Sequence, residues 1–214
     1  MNLLPKDCGH QPIAYTGIYE WPVTKRMAKL ARAGGCLVDV GANAGYFSLL
    51  WCGLNRANHA EAFEALPANV DRLRKNIEIN EMQDLIRLHA HALGRTDGVI
   101  AFETGQSEQS GWGGIASAES KAIIEVPVRR LDPMFNETDG PITVKIDCEG
   151  ADSWVMEGAK ELLSRPMVRN VFFEVNEPRQ LALGIPMDAS QQILRGLGFC
   201  CEQIDANDWH AHKK

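Results

Sequence analysis

No apolar run in this 214-residue sequence reaches the length that a membrane span needs, although 45% of its residues are hydrophobic. The opening stretch MNLLPKDCGHQP has no basic start followed by an apolar core, so it does not read as a secretory leader. No CxxC pair occurs among the six cysteines, Cys8, Cys36, Cys52, Cys148, Cys200 and Cys201. Three of them sit in or beside apolar strand-like runs, which points to buried free thiols in a reducing compartment and so to the cytoplasm. No dense block of lysine and arginine appears, and the formal charge is −6, which argues against nonspecific binding to nucleic acid or to an anionic membrane. Internal repeats and low-complexity linkers are also missing. A chain of this length with 23% charged residues makes one large α/β domain or two small ones.

What is present is an alternation of strand-like and helix-like segments, the pattern of a parallel sheet with helices on its faces. A helix over about Val23 to Ala33 precedes the strand CLVDV, and a second helix follows from about Gly45 to Leu54. HAEAFE reads as the next strand. The helix after it opens at Pro67 and carries Val70, Leu73 and Ile77 on one stripe. LIRLHAHAL is a third strand. From Gly94 to Asp132 two β-like runs, GVIAFE and AIIEVPVRRL, flank a polar glycine-rich segment. ITVKID, the helix ADSWVMEGAKELL, NVFFEVN and the helix DASQQILRGLGF follow, the last with Asp188 and Gln191 in capping-box spacing. CCEQI and WHAHK make a closing pair of strands. The expected organisation is an N-terminal segment and helix over 1–35 and a single doubly wound domain over 36–214, with a β-rich insertion at 94–132.

The first strand-to-helix turn, Asp39 to Gly45, lies where ligands bind in an open parallel sheet, beyond the carboxyl ends of the strands. Gly41 and Gly45 leave space for a ligand's atoms. A dinucleotide loop needs glycines at positions 41, 43 and 46, but Asn43 and Tyr46 hold the latter two. Asp39 adds negative charge where phosphates would sit, which suits a cation. At the end of the second strand, Glu64 can accept two hydrogen bonds from the adjacent hydroxyls of a ribose. Alone, Asp39 fits a helix cap and Glu64 a solvated strand end. Together, with the glycine loop between them, they describe an adenosine ligand with a cationic, phosphate-free tail. S-adenosylmethionine fits: its ribose at Glu64, its ammonium and sulfonium near Asp39.

The blocks VDVGANAGYFSL, AFEALPANVDRLRKNIEIN, HALGRTDG, EVPVRRLD, VKIDCEGADSWVMEGAKELL and FFEVN, in this order over residues 36 to 176, resemble the FkbM-type methyltransferases. The resemblance implies a Rossmann-like seven-stranded sheet of the class I methyltransferase type, mostly parallel with an antiparallel final strand. It also implies methyl transfer from S-adenosylmethionine, usually to a hydroxyl oxygen. The turn residues Gly41, Ala42, Asn43, Gly45 and Tyr46 then belong to the cofactor site with Asp39 and Glu64. Ala65, where the family usually has proline, is counted with them, as are His91 and Ala92 at the end of the third strand, where His91 either lies near the adenine or merely hydrogen-bonds a loop.

In KIDCEGA, strand alternation puts Lys145, Asp147 and Glu149 on one side at the end of the fourth parallel strand. A structural ion pair is one reading of these three charges. The other is that Asp147 or Glu149, or Glu174 on the neighbouring strand, takes the proton of a sugar-like hydroxyl while Lys145 orients or tunes the acid. Asp147, Glu149 and Asp152 offer oxygen ligands to a divalent metal, but the resemblance requires none and no metal is assigned. Cys8, His10, His210 and His212 read as incidental, the last two on a solvated sheet edge. The segment TGQSEQSGWGGIASAESK, with Trp112, reads as the acceptor-selecting loop. The acceptor expected is a small molecule, a sugar or glycosylated metabolite. The competing reading is a protein that keeps the fold and binds cofactor or glycan without turnover.

Overall fold

A computed structural model describes residues 1–104, 113–116, 123–135 and 140–213. Two short N-terminal helices come first, α1 (His10–Thr16) and α2 (Trp21–Ala33). Then β1 (Cys36–Val40), α3 (Tyr46–Leu54), β2 (His59–Phe63), α4 (Pro67–Ile79) and β3 (Ile86–His89) alternate. A β-rich excursion follows: β4 (Ala92–Leu93), β5 (Gly98–Glu103), β6 (Gly114–Ile115) and β7 (Ile123–Arg129). The chain returns through β8 (Ile142–Ile146), α5 (Asp152–Glu157), α6 (Lys160–Ser164), β9 (Val168–Glu174), α7 (Glu177–Ala182), α8 (Ala189–Gly196), β10 (Cys200–Gln203) and β11 (Asp208–His212).

Among the described residues the main sheet has seven strands in the order β10-β11-β9-β8-β1-β2-β3, and a second sheet has the order β4-β7-β5-β6. β8, β1, β2, β3 and β9 pair in parallel, while β11 runs antiparallel to both neighbours. Every residue of β1 and β8 is buried, as central strands covered on both faces must be. Alternation divides their side chains. Cys36, Val38 and Val40 face the core that holds Val155 and Leu162, and Leu37 faces the core that holds Phe47 and Leu73.

Four expectations need correction. The third strand does not run through to Leu93: β3 stops at His89, and β4 leaves to pair with β7 in the second sheet. The helix after β8 breaks at Gly158, whose carbonyl accepts the Leu131 and Asp132 N–H groups at 3.1 and 3.0 Å, while a Cβ there would lie 2.0 Å from the Gly94 oxygen. Packing against the second sheet thus interrupts a helix that periodicity alone would continue. Asp188 makes no capping bond to the backbone and instead accepts from the Gln192 amide at 2.7 Å. β11 is no edge: it lies between β9 and β10, with His210 buried and stacked on Phe172 at 4.3 Å.

Candidate active site

The turn after β1 is shaped by contacts within the protein. The Gly41 and Ala42 N–H groups both donate to the Phe63 carbonyl at 3.0 Å. Gly41 has φ +76°, and a Cβ there would sit 1.9 Å from the Asp147 carbonyl oxygen. Gly45, with φ +87°, leaves room for Leu73, whose Cδ1 would be 2.4 Å from a Cβ. The two glycines therefore let β8 and α4 approach, and the space they free is filled by protein. Gly41 lines the cavity described below; Gly45 does not.

Glu64, just past β2, is 6% exposed. Its Oε2 accepts the Asn43 N–H at 2.8 Å, and its Oε1 accepts those of Ala65 and Leu66 at 3.0 and 2.9 Å. Burial pushes its carboxyl above the ordinary range, against the pull of these bonds and of the Asn69 side chain. The carboxylate thus ties together the two turns on either side of the cavity floor.

A cavity of about 670 Å³ opens over the carboxyl ends of β1, β2, β8 and β9, within the size range of small-molecule sites. Asn43, Tyr46, Glu64, Ala65, His91 and Ala92 line one part; Lys145, Asp147, Glu149 and Glu174 line another. Val99, Ile100, Phe102 and Ile115 of the second sheet also line it. Glu64 and Ala65 follow directly on β2, and Asp147 directly on β8, while Lys145 and Glu174 belong to the ends of β8 and β9 themselves. Trp112 lies outside the described residues.

The second part is crowded with acids. Lys145 Nζ is 3.0 Å from Asp147 Oδ2 and 5.0 Å from the centre of the Phe47 ring. Burial alone would lower the lysine's pKa, but Asp147, Asp39 and Glu20 together raise it, so the ammonium stays charged. Glu149 is pushed up to about 8 by burial and by Asp147 and Glu174. Glu174 is pushed up to about 7 by burial, Asp147 and Asp208. β8 ends at Ile146 and Glu149 takes a left-handed φ of +50°, so it reaches the cavity by a turn rather than by strand alternation. The Asn176 amide donates to Glu149 Oε2 at 2.9 Å.

Asp39 stands apart from expectation. It is 1% exposed, outside the cavity's lining, and its Oδ2 accepts from the Ser48 hydroxyl at 2.6 Å. Its Oδ1 has no hydrogen-bond partner among the described residues. It is the register partner of Lys145, whose pKa it helps to raise. Asp152, considered above as a metal ligand, accepts the Cys148 and Glu174 N–H groups at 3.3 and 3.1 Å and does not line the cavity. It pins the turn after β8 to the end of β9. No group of three or more His, Cys, Asp or Glu side chains among the described residues is arranged to hold a metal ion.

Among the lining residues that the sequence reading did not assign to the site are His10, which it took as incidental, and Glu20. His10, 2% exposed, and Glu20, at a left-handed φ of +41°, both reach the cavity from the N-terminal segment. Burial, opposed by Lys145 and reinforced by Asp147, pushes Glu20 up to about 8. No spacing signal links either residue to the glycine turn.

The sequence profile of the methyltransferase FkbM domain matches residues 39–199, about three-quarters of the chain. The chain belongs to the FkbM methyltransferase family. No protein of curated function matches it. Among solved structures, the precorrin-6y C5,15-methyltransferase of Geobacter metallireducens is similar, with TM-score 0.54 and 11% identity over 94% of this chain and 92% of that one. An S-adenosylhomocysteine-bound methyltransferase of Podospora anserina gives 0.53 and 12%, over 90% and 78%. An O-methyltransferase of Bacillus cereus, also bound to S-adenosylhomocysteine, gives 0.50 and 15%, over 92% and 84%. At such identities the likeness establishes the Rossmann-like class I fold.

The cofactor of this FkbM methyltransferase is S-adenosylmethionine, and the cavity's chemistry fits it. The lining acids Glu20, Glu64, Asp97, Asp147, Glu149 and Glu174 outnumber the cations, Lys145 and Arg95. A positively charged, phosphate-free ligand relieves that excess, whereas a pyrophosphate would add to it.

Proposed function

We propose that this FkbM methyltransferase transfers a methyl group to a hydroxyl of a sugar or glycosylated small metabolite in the cytoplasm. Glu64 receives the ribose of the donor, with Gly41, Ala42, Asn43, Tyr46, Ala65, His91 and Ala92 around it. Gly45 and Asp39 act from behind the wall, one by packing and one by charge. The observation that carries the acceptor reading is the group of half-buried carboxyls at the ends of β8 and β9, held near neutrality beside the Lys145–Asp147 pair.

The bound donor supplies an electrophilic methyl group; the chain supplies alignment and a place for the proton. A sugar hydroxyl stays protonated at neutral pH, and a carboxylate whose pKa lies near the working pH is a suitable acceptor for its proton. Glu149 and Glu174 have that character, and Asp147, hydrogen-bonded to Lys145, lies beside them. Lys145 pulls the Glu174 carboxyl down against burial.

The test has two stages. Isothermal calorimetry with S-adenosylhomocysteine comes first, and absence of binding removes the donor site. Transfer of a labelled methyl group to a panel of sugars and glycolipids comes second. Binding without product across the panel favours a non-catalytic binding protein instead.

A further inference from the structure

The family match begins at residue 39, so the segment that carries α1 lies outside it. Yet Gly9, His10 and Ile13 line the cavity from this segment. The backbone N–H of Leu4 donates to His10 Nδ1 at 3.0 Å, which requires a lone pair on that nitrogen. The ring is therefore neutral with its proton on Nε2, in keeping with a pKa held down by burial against the raising effect of Asp7. Nε2 in turn donates to Asn43 Oδ1, a long bond of 3.4 Å. The Asn43 N–H donates onward to Glu64 Oε2 at 2.8 Å.

Asn43 has a left-handed φ of +48°, at the place where a dinucleotide loop would have its second glycine. A non-glycine residue keeps such a conformation when its surroundings hold it there. Here the backbone side of the turn is held by Glu64 and the side-chain side by His10. The ring thus sets which way the Asn43 amide is presented and keeps the Asn43 N–H on the Glu64 carboxylate.

We propose that His10 is a positioning residue of the methyl-donor site, holding the β1–α3 turn through Asn43 so that Glu64 keeps its orientation toward the ribose. This rests on the donor reading above. The N-terminal segment then forms part of the donor site, a wall that the family's matched region does not supply.

Two substitutions divide the ring's two bonds. His10→Asn places an amide oxygen about where Nδ1 stands and keeps the acceptor for Leu4, but it falls short of Asn43. His10→Gln extends an amide nitrogen to about the position of Nε2 and keeps the donor to Asn43, while losing the acceptor for Leu4. The full-length chain, both variants and His10→Ala are titrated with S-adenosylhomocysteine by calorimetry, with thermal melts alongside. The expected result is affinity near that of the unaltered chain for His10→Gln, despite a lower melting temperature. His10→Asn is expected to bind about fivefold or more weakly, the loss that one hydrogen bond predicts. Should His10→Ala fail to fold, the Gln and Asn variants still decide. An Asn variant that binds as tightly as the unaltered chain, or a Gln variant no better than Asn, overturns the inference. If the unaltered chain does not bind, the donor reading itself falls.

Discussion

Asp39 and Lys145 are register partners on neighbouring parallel strands, both buried, yet the lysine's hydrogen bond goes to Asp147, two residues along its own chain. One ammonium thus serves two acids, one sealed in the core beneath α3 and one at the cavity surface. Burial pushes the Asp39 carboxyl up, against the opposing pull of Lys145 and of the Ser48 hydroxyl.

Removing that ammonium leaves the acids uncompensated. Lys145→Met is expected to destabilise the fold by about 3 kcal/mol, the usual cost of breaking a buried ion pair from one side. Urea denaturation measures it. Melting within a degree of the unaltered chain would show that Asp39 and Asp147 do not depend on the lysine.

Glu149 and Glu174, at about 8 and 7, predict a methyl-transfer rate that rises between pH 6.5 and 8.5, as the base loses its proton. Glu149→Gln should lower kcat by about a hundredfold and remove the upper limb of that rise, if Glu149 is the base. A Glu149→Gln enzyme with an unchanged profile transfers the role to Glu174 or Asp147.

The same shifts bear on stability. Glu20, Glu149 and Glu174 hold protons in the folded chain that the unfolded chain has released by pH 6.5. The folded state therefore binds more protons, and stability falls as pH rises through about 7 to 8. The histidines His10 and His210, shifted down, oppose this only below their ordinary pKa of 6.5. Thermal melts at pH 6.5 and 8.5 check the sign, and a higher melting temperature at 8.5 would contradict it.

Glu64→Ala removes the acceptor for three backbone N–H groups as well as a proposed ribose ligand. It should cost about 2 kcal/mol or more of stability and weaken S-adenosylhomocysteine binding. Glu64→Gln separates the effects, since one oxygen is retained for the backbone. Equal cofactor affinity in Glu64→Gln and the unaltered chain would end the ribose assignment.

Gly41→Ala meets the Asp147 carbonyl at 1.9 Å, and backbone cannot swing aside; Gly45→Ala meets only the tip of Leu73 at 2.4 Å. Both also require a positive φ, which costs alanine about 1–2 kcal/mol. Gly41→Ala should therefore be the more damaging by chemical denaturation, and the reverse order would mean that β1 and β8 can separate more easily than α4 can shift.

The sequence alone determined the strand order's raw material, the family and the donor. The run CLVDV followed by GANAG, the acid closing HAEAFE and the block KIDCEGA are local signals, each set by periodicity or turn chemistry within a dozen residues. Tertiary packing decided the rest. Asp39 fell behind the wall because alternation turns it toward α3 and Ser48, and Gly41 and Gly45 serve β8 and Leu73, contacts from about 30 to 100 residues away in the chain. β11 became interior because β10 folded beyond it. His10 and Glu20 joined the cavity only when the N-terminal segment docked over the strand ends. Such contacts join distant parts of one chain, and no local pattern of residue types records which distant side chain will fill a given space.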